Sequence, residues 1–310
     1  NEELMSNIQL SYNKRFGDHN VAAVAGVESI KRDTPTSWLH AIPTANALHL
    51  IDYETMDTYN DEGNETEARL GWMFRGNYDY ANKYLVEFSA RYDGSWKFPP
   101  DHRWGFFPSA SVGWRISEEN FWKENAISNT VNNLKLRVGY GATGNCNISD
   151  YMYTTSFKQT DYPLNNTEGN LAYTLDETLG NRDLKWETMH STNIGLDFAL
   201  FNSRVNVTAE WYNNQVNDLL LKCIIPSTTG YKSQFQNVGK IRNRGWEFSV
   251  NTVNIQTKNF RWTSDLNLAF NKSKVISLED GLDTKTFSVG GNRSGQVNYY
   301  AVVGLSLIHI

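Results

Sequence analysis

Long apolar stretches are missing from this 310-residue chain: the longest run without a polar side chain, Val21 to Val27, is seven residues. A transmembrane helix needs ~20, so a helical membrane protein is excluded. A transmembrane β-barrel is not, because only every second residue of its strands faces lipid and average hydropathy stays low. Blocks of Lys and Arg are missing too, and 29 basic against 34 acidic side chains leave a net charge of −5. That balance lacks the electrostatic footprint of a DNA or RNA binder, so no nucleic-acid partner is expected. Cysteine is scarce. Cys146 and Cys223 form no framework and no CxxC pair, and two free thiols are preferred to a disulfide because spacing does not fix connectivity. The first residues carry neither a basic segment nor an apolar one and begin at Asn1, so any targeting signal is expected upstream. Disorder is disfavoured by the 13% of aromatic residues.

What the chain does have is alternation. Tyr84, Val86, Phe88, Ala90 and Tyr92 interleave with Leu85, Glu87, Ser89, Arg91 and Asp93. Ala110, Val112, Trp114 and Ile116 interleave with Ser109, Ser111, Gly113 and Arg115. The same pattern recurs around Leu134–Tyr140, Ile194–Leu200, Val205–Trp211 and Trp246–Val250. Successive side chains of a strand point to opposite faces, so each segment predicts a strand with one apolar and one polar side. About a dozen strands are expected.

A soluble β-sandwich alternates in the same way. Two features point elsewhere. Tyr84, Tyr92, Trp211, Trp246, Trp262 and Phe270 sit at the ends of apolar faces, which suits a membrane–water interface. The connections also alternate in length. Short ones are expected at Gly17–Asn20, Ala81–Lys83, Asn202–Arg204 and Asn254–Asn259. Long polar ones are expected at Lys31–Thr66, Gly94–Gly105, Asn145–Lys185, Lys222–Ser233 and Ser273–Asn298. Tight periplasmic turns and long extracellular loops are the layout of an outer-membrane barrel. Ser117–Asn132 breaks the rhythm; Ser117 is expected to N-cap a short periplasmic helix whose first turn carries Glu118 and Glu119.

Sites of chemistry are few. Gly139–Gly144 (GYGATG) is a literal GxGxxG after a strand, but no helical pattern follows, and a dinucleotide site needs that helix. Its glycines are read as thinning the inner face of a strand and opening its exit loop. The six histidines show no zinc spacing, and the acidic run from Asp52 to Glu67 lacks the order of a calcium loop and reads as a solvated loop. No nucleophile elbow and no isolated carboxylate pair occurs. No catalytic residue, metal site or cofactor is expected. Trp38, Tyr53, Tyr59, Tyr151, Tyr153, Tyr162 and Tyr173 are the candidate substrate-binding residues, since loop aromatics stack on ligands. They serve equally well to pack the loops against themselves.

The wording of the strands carries a resemblance. Lys83–Ser95 (KYLVEFSARYDGS), Arg103–Ser109 (RWGFFPS), Ser111–Glu119 (SVGWRISEE) and Leu134–Asn145 (LKLRVGYGATGN) resemble the SusC/RagA family of TonB-dependent outer-membrane transporters. Asp183–Glu187 (DLKWE), Asn193–Asp197 (NIGLD), Tyr212-Asn213 with Asp218–Leu220, Asn237–Gly239 and Asn243–Glu247 (NRGWE) continue it in order. The match runs from about Leu10 to Asn271. Cys146 and Pro99-Pro100, both in expected loops, depart from the family pattern.

The resemblance implies an all-β fold: part of an antiparallel transmembrane barrel of about 22 strands, with a separate plug domain outside these residues. It implies uptake of oligosaccharides or peptides with a SusD-like surface lipoprotein as lid. Energy would come from a TonB–ExbB–ExbD complex reached through the N-terminal part. It carries over no binding residue. A soluble or surface-attached glycan-binding β domain is the alternative, and an enzyme would need a constellation the sequence lacks. Residues 1–304 are expected to form the barrel segment. Leu305–Ile310 (LSLIHI) leaves the family pattern after Gly304 and is read as an assembly scar from a sequencing adaptor, against the reading as an apolar strand.

Overall fold

A computed structural model describes residues 2–43, 56–161, 171–278, 284–287, 299–305 and 308–309. In chain order, the strands are β1 (Glu2–Phe16), β2 (His19–Pro43), β3 (Met56–Tyr80), β4 (Tyr84–Ser95), β5 (Trp104–Arg115) and β6 (Val131–Asn145). Then come β7 (Phe157–Asp161), β8 (Leu171–Leu175), β9 (Thr178–Leu179), β10 (Glu187–Leu200), β11 (Val205–Asn217), β12 (Leu220–Ile224) and β13 (Ser233–Asn237). They are followed by β14 (Lys240–Gln256), β15 (Arg261–Ser277), β16 (Thr284–Phe287), β17 (Tyr299–Val302) and β18 (Ile308–His309). Ten of them form one open antiparallel sheet in the order β1-β2-β3-β4-β5-β6-β10-β11-β14-β15. The remaining strands make small sheets: β7-β8 and β12-β13-β9 within the connections, and β16-β17-β18 after β15.

Register turns the alternation into two surfaces. Val21, Tyr78, Val86, Val112, Val138, Ile194, Trp211, Trp246 and Phe270 are successive cross-strand partners, so one apolar line crosses nine strands. On β1–β5 the apolar rows continue one way, through Leu10–Ala25–Phe74–Ala90 and Ile8–Val27–Trp72–Tyr92–Phe106. On β10–β15 they continue the other way, through Leu196–Ala209–Phe248–Leu268 and Phe198–Val207–Val250–Leu266. The belt therefore runs oblique to the strands, as strand tilt in a barrel requires. Nothing described covers it: Leu10 is 77% and Ile8 73% exposed. A sandwich would have buried this face against a second sheet.

Aromatic rings mark both margins. Tyr80 stacks on Tyr84 (6.3 Å between centroids) beside the short turn at Ala81, and Tyr92 stacks on Trp104 (4.9 Å) at the opposite end. Trp211, Trp246 and Phe270 share one row. The short turns are tight. Gly17 (φ +58°) bridges β1 and β2, and Ala81 and Asn82 (φ 52° and 56°) bridge β3 and β4 in the left-handed conformation that suits strand twist.

Three expectations need correction. The expected loop Lys31–Thr66 is mostly hairpin: β2 and β3 stay in register from Asp33 opposite Thr66 out to Pro43 opposite Met56. A polar sequence without an apolar face still pairs when the ladder below fixes its register, and alternation could not reveal it. The turn after β14 is tighter than expected, because that strand runs to Gln256.

Ser117 does not cap the helix. It lies in a 3-10 turn, Ile116–Glu118, and its hydroxyl donates to Asn133 Oδ1 at 3.3 Å. The helix α1 (Asn120–Lys123) starts one turn later, behind Glu119. The Glu119 carboxylate accepts from Tyr84 Oη (2.6 Å), Trp114 Nε1 (3.1 Å) and Lys83 Nζ (3.1 Å). It thereby pins the connection to the ends of β4 and β5, a tertiary use of a residue that local pattern assigns to the helix. Cys146 and Cys223 form no disulfide, as preferred, and Cys223 Sγ donates to the Leu221 carbonyl at 3.7 Å.

In the full-length protein, Val86→Arg or Phe88→Arg should lower outer-membrane assembly, since a cation on the lipid face costs about 2–4 kcal/mol near the midplane. Ser89→Arg, on the other face, should be mild, and equal tolerance would invert the facing assignment.

The hydrogen bonds from Tyr84, Trp114 and Lys83 hold the Glu119 carboxyl at about 2, below its ordinary 4.5. A depressed carboxyl contributes stability that is complete above its unfolded value and fades as pH falls through the folded one. Trp114 fluorescence should therefore stay constant from pH 7 to about 5 and change as pH falls through about 2. Glu119→Gln should abolish that transition; its persistence would assign the docking to another group.

Candidate functional site

The inner face of the sheet is polar and indented. A groove of about 510 Å³ runs across β2–β6, β10 and β11, lined by Asn77, Glu87, Ser111, Lys135, Arg137 and Asn193 among others. Two of its lining residues, Arg137 and Glu210, belong to an ion cluster. Arg137 on β6 donates to both carboxylate oxygens of Asp197 on β10 (Nε 2.7 Å, Nη2 3.1 Å) and reaches Glu210 on β11 at 3.5 Å. Thr208 Oγ1 also donates to Asp197, at 3.1 Å. The fork geometry suits a carboxylate, and Lys135, the cross-strand partner of Asp197, balances the second acid, so two acids face two bases. Gly195 makes it possible: a Cβ there would come within 2.8 Å of the Arg137 guanidinium.

Ser89 and Ser109 share a 2.7 Å hydrogen bond, and Ser191 donates to Asn214 at 2.6 Å, so the wall also presents short neutral hydrogen-bonding groups. Such a wall pairs with peptide, sugar or water without demanding one sequence of donors. The GxGxxG stretch belongs to it. Gly139 and Gly141 face Ser111 and Ser109 across β5 with no helix behind them, and β6 runs on to Asn145 before the loop begins.

Above the strands the connections fold on themselves. Phe98 from the β4–β5 connection, and Ile148 and Leu184 from the β6–β10 connection, form a buried cluster joined by Met152, Tyr153, Trp186, Leu220 and Phe235. Polar ties fix it. Lys97 Nζ donates to the Ile148 carbonyl (2.7 Å), and Trp186 Nε1 donates to the Arg103 carbonyl (2.9 Å). Asn237 bridges Lys185 and Asp218 through its side-chain amide. A small sheet adds rigidity: β12 pairs antiparallel with β13, and β13 pairs parallel with β9.

The sequence candidates divide on this map. Tyr153 packs on the loop cluster, while Tyr151 is 53% exposed with its ring centroid 6.2 Å from that of Tyr153. The backbones of Trp38, Tyr59 and Tyr173 lie on β2, β3 and β8. Their side chains, and the whole of Tyr53 and Tyr162, lie outside the described residues. Of the acidic run Asp52–Glu67, the backbone from Met56 onward lies on β3, while residues 52–55 and the side chains up to Glu65 lie outside the described residues. The Arg137–Asp197–Glu210 cluster was not singled out in the sequence. Alternation places each residue on a polar face, but only the pairing of β6 with β10 across a 41-residue connection brings them together.

A one-sided apolar sheet with aromatic margins, a polar inner wall and folded loops at one end defines an outer-membrane β-barrel. The sequence matches the family described as "TonB dependent receptor-like, beta-barrel" over residues 3–307, and the chain belongs to that family. Curated relatives agree. TonB-dependent receptor P3 of Formosa agariphila is 34% identical over 293 residues, covering 93% of this chain and 29% of its own length. TonB-dependent receptor SusC of Bacteroides thetaiotaomicron is 34% identical over 260 residues, covering 78% of this chain and 25% of its own length. The chain thus spans less than a third of these relatives. Among solved structures, the RagAB peptide importer in a closed state superposes with a TM-score of 0.80 at 23% identity, over 99% of this chain and 33% of that one. The SusC/RagA resemblance is confirmed, and the chain is an outer-membrane barrel segment.

The loop cluster yields a prediction. In full-length protein on whole cells, Phe98→Ala or Leu184→Ala should speed protease cutting within Asn145–Lys185, since either truncation removes about 2–5 kcal/mol of packing. The turn Asn202–Arg204 should stay uncut. Unchanged cutting would deny the cluster its role, and cutting at that turn in intact cells would invert the topology.

Proposed function

We propose that the full-length protein containing this chain is an energised outer-membrane importer of oligosaccharides or peptides. The carrying observation is the pairing of a continuous apolar belt outside with a hydrogen-bonding wall inside, in a chain of the TonB-dependent receptor family. A lumen lined by serine, asparagine and paired charges suits polar cargo and a polar plug. The loop platform built on Phe98 and Leu184 offers a fixed rim on which a SusD-like lipoprotein closes. Energy is supplied by TonB–ExbB–ExbD through parts of the protein outside these residues. The relationship to SusC supports this reading, whereas the likeness to the RagAB importer, at 23% identity, supports the fold and leaves the cargo open.

Transport, not catalysis, is the proposed role. A soluble glycan-binding domain would have to hide the exposed belt, and no observation favours it. The test is a deletion of the full-length gene, with growth measured on defined oligosaccharides and on defined peptides as sole nutrient. One cargo class should fail to support growth, and complementation should require both TonB and the neighbouring SusD-like gene. Unimpaired growth on both classes, or a full-length protein without heat-modifiable gel migration in the outer-membrane fraction, would overturn the proposal.

A further inference from the structure

A cluster of cations lies on the lipid-side face, just beyond the aromatic margin. Alternation puts Lys240, Arg242 and Arg244 on the same face of β14 as Trp246, and Lys272 and Lys274 on the same face of β15 as Phe270. Register sets Arg244 opposite Lys272 and Arg242 opposite Lys274, directly above the Trp246–Phe270 pair. Like charges directly opposed across a sheet destabilise it unless something neutralises them. Among the described residues, none of the five side chains has a hydrogen bond or ion pair. On the β11 side no carboxylate stands here: the outward positions of that strand at this height are Asn213, Gln215 and Asn217. Glu247 points to the other face.

The cations and the rings share one groove. Arg244, Lys272, Trp211, Trp246 and Phe270 line a depression of about 640 Å³, in which Trp246 is 51% and Phe270 60% exposed. At a rise of ~3.3 Å per residue, Arg244 stands about 7 Å beyond Trp246 along the strand. The short turn after β14 marks the opposite, periplasmic end, so the cluster lies at the extracellular margin. Its ligand must therefore be anionic at the top and apolar below.

We propose that this groove binds a phosphate-bearing lipid of the outer leaflet. The phosphate sits between Arg244 and Lys272, with Arg242 and Lys274 behind it, and the acyl chains lie along Trp246, Phe270 and Leu268. A guanidinium fork matches phosphate oxygens bidentately, while lysine supplies a compact charge. A free anion would leave the rings below unused, and an uncharged lipid would leave five cations unpaired. The inference rests on the outer-membrane placement and is independent of the cargo.

The test uses full-length protein purified in detergent and titrated with three probes, read by native mass spectrometry and thermal melting. They are a phosphorylated outer-leaflet lipid A, the same lipid enzymatically dephosphorylated, and inorganic phosphate. The phosphorylated lipid should bind about tenfold or more tightly than its dephosphorylated form, since each neutralised cation near a membrane surface adds appreciably to binding. Inorganic phosphate should not compete at equal concentration. The double variant Arg244→Gln with Lys272→Gln should lose the preference, and Arg244→Lys with Lys272→Arg should keep it. Equal binding of the two lipids by the wild type would overturn the proposal. So would displacement by inorganic phosphate, which would mark a free-anion site, or an undiminished preference in the Gln pair. Should the Gln pair fail to assemble, the wild-type comparison of the two lipids decides the matter alone.

Discussion

Hydrocarbon offers no partner for a backbone N–H or C=O, and the fold depends on that constraint. Each spanning residue must satisfy its backbone groups through the neighbouring strand. The ten-stranded ladder accordingly runs with few interruptions, and among the described pairs register shifts appear only near strand ends, at Ala199/Leu200 on β10 and at Lys240/Ile241 and Val253/Ile255 on β14. Once the ladder is fixed, side chains have only two places to go. The apolar set faces lipid and needs no packing partner within the chain, which is why few residues are fully buried. The largest of them, Phe98 and Leu184, lie in the connections, while Val275, near the end of β15, is buried with Leu278 and Val303.

The inner wall is freed from the same constraint, because it faces protein or water. It can hold Arg137 between Asp197 and Glu210 at a desolvation cost far below that of a dry interior, since each of these side chains keeps a quarter or more of its exposure. Such partly solvated pairs contribute little to stability. Their consequence is positional: Arg137 ties three strands together across the groove and sets a fixed charge pattern on the wall. Gly195 is the concession the backbone makes to that arrangement.

Much of this was legible in the sequence, and for a definite reason. A period of two survives in any strand with unlike faces, so Tyr84–Tyr92 and Ala110–Ile116 announced both their structure and their orientation. Connection length announced which end of the sheet carries the folded loops. Pairings without a face could not be read: the extension of β2 and β3 toward Pro43 and Met56 rests on register inherited from below. Glu119 was misassigned because local pattern sees a helix start, while the structure gives its carboxylate three donors, two of them on β4 and β5. The Arg137 cluster stayed hidden for a related reason. Sequence gives the face of each residue but not which strand lies beside which when a 41-residue connection intervenes.

The same logic explains why the loops carry a core of their own. A strand end in lipid is held by its neighbours on both sides, but a loop above the membrane has no such ladder and must gain its order from burial. Phe98, Ile148 and Leu184 come from two different connections, so the cluster joins segments that the sheet alone would leave independent. The Trp186 bond to the Arg103 carbonyl and the Asn237 bridge to Lys185 add direction to what the apolar contact leaves sliding. A rim ordered in this way keeps its shape whether or not a ligand is present, which lowers the entropy lost when something docks on it. Rigidity above the membrane and an uninterrupted ladder within it are thus two answers to one question, namely where each backbone group finds its partner.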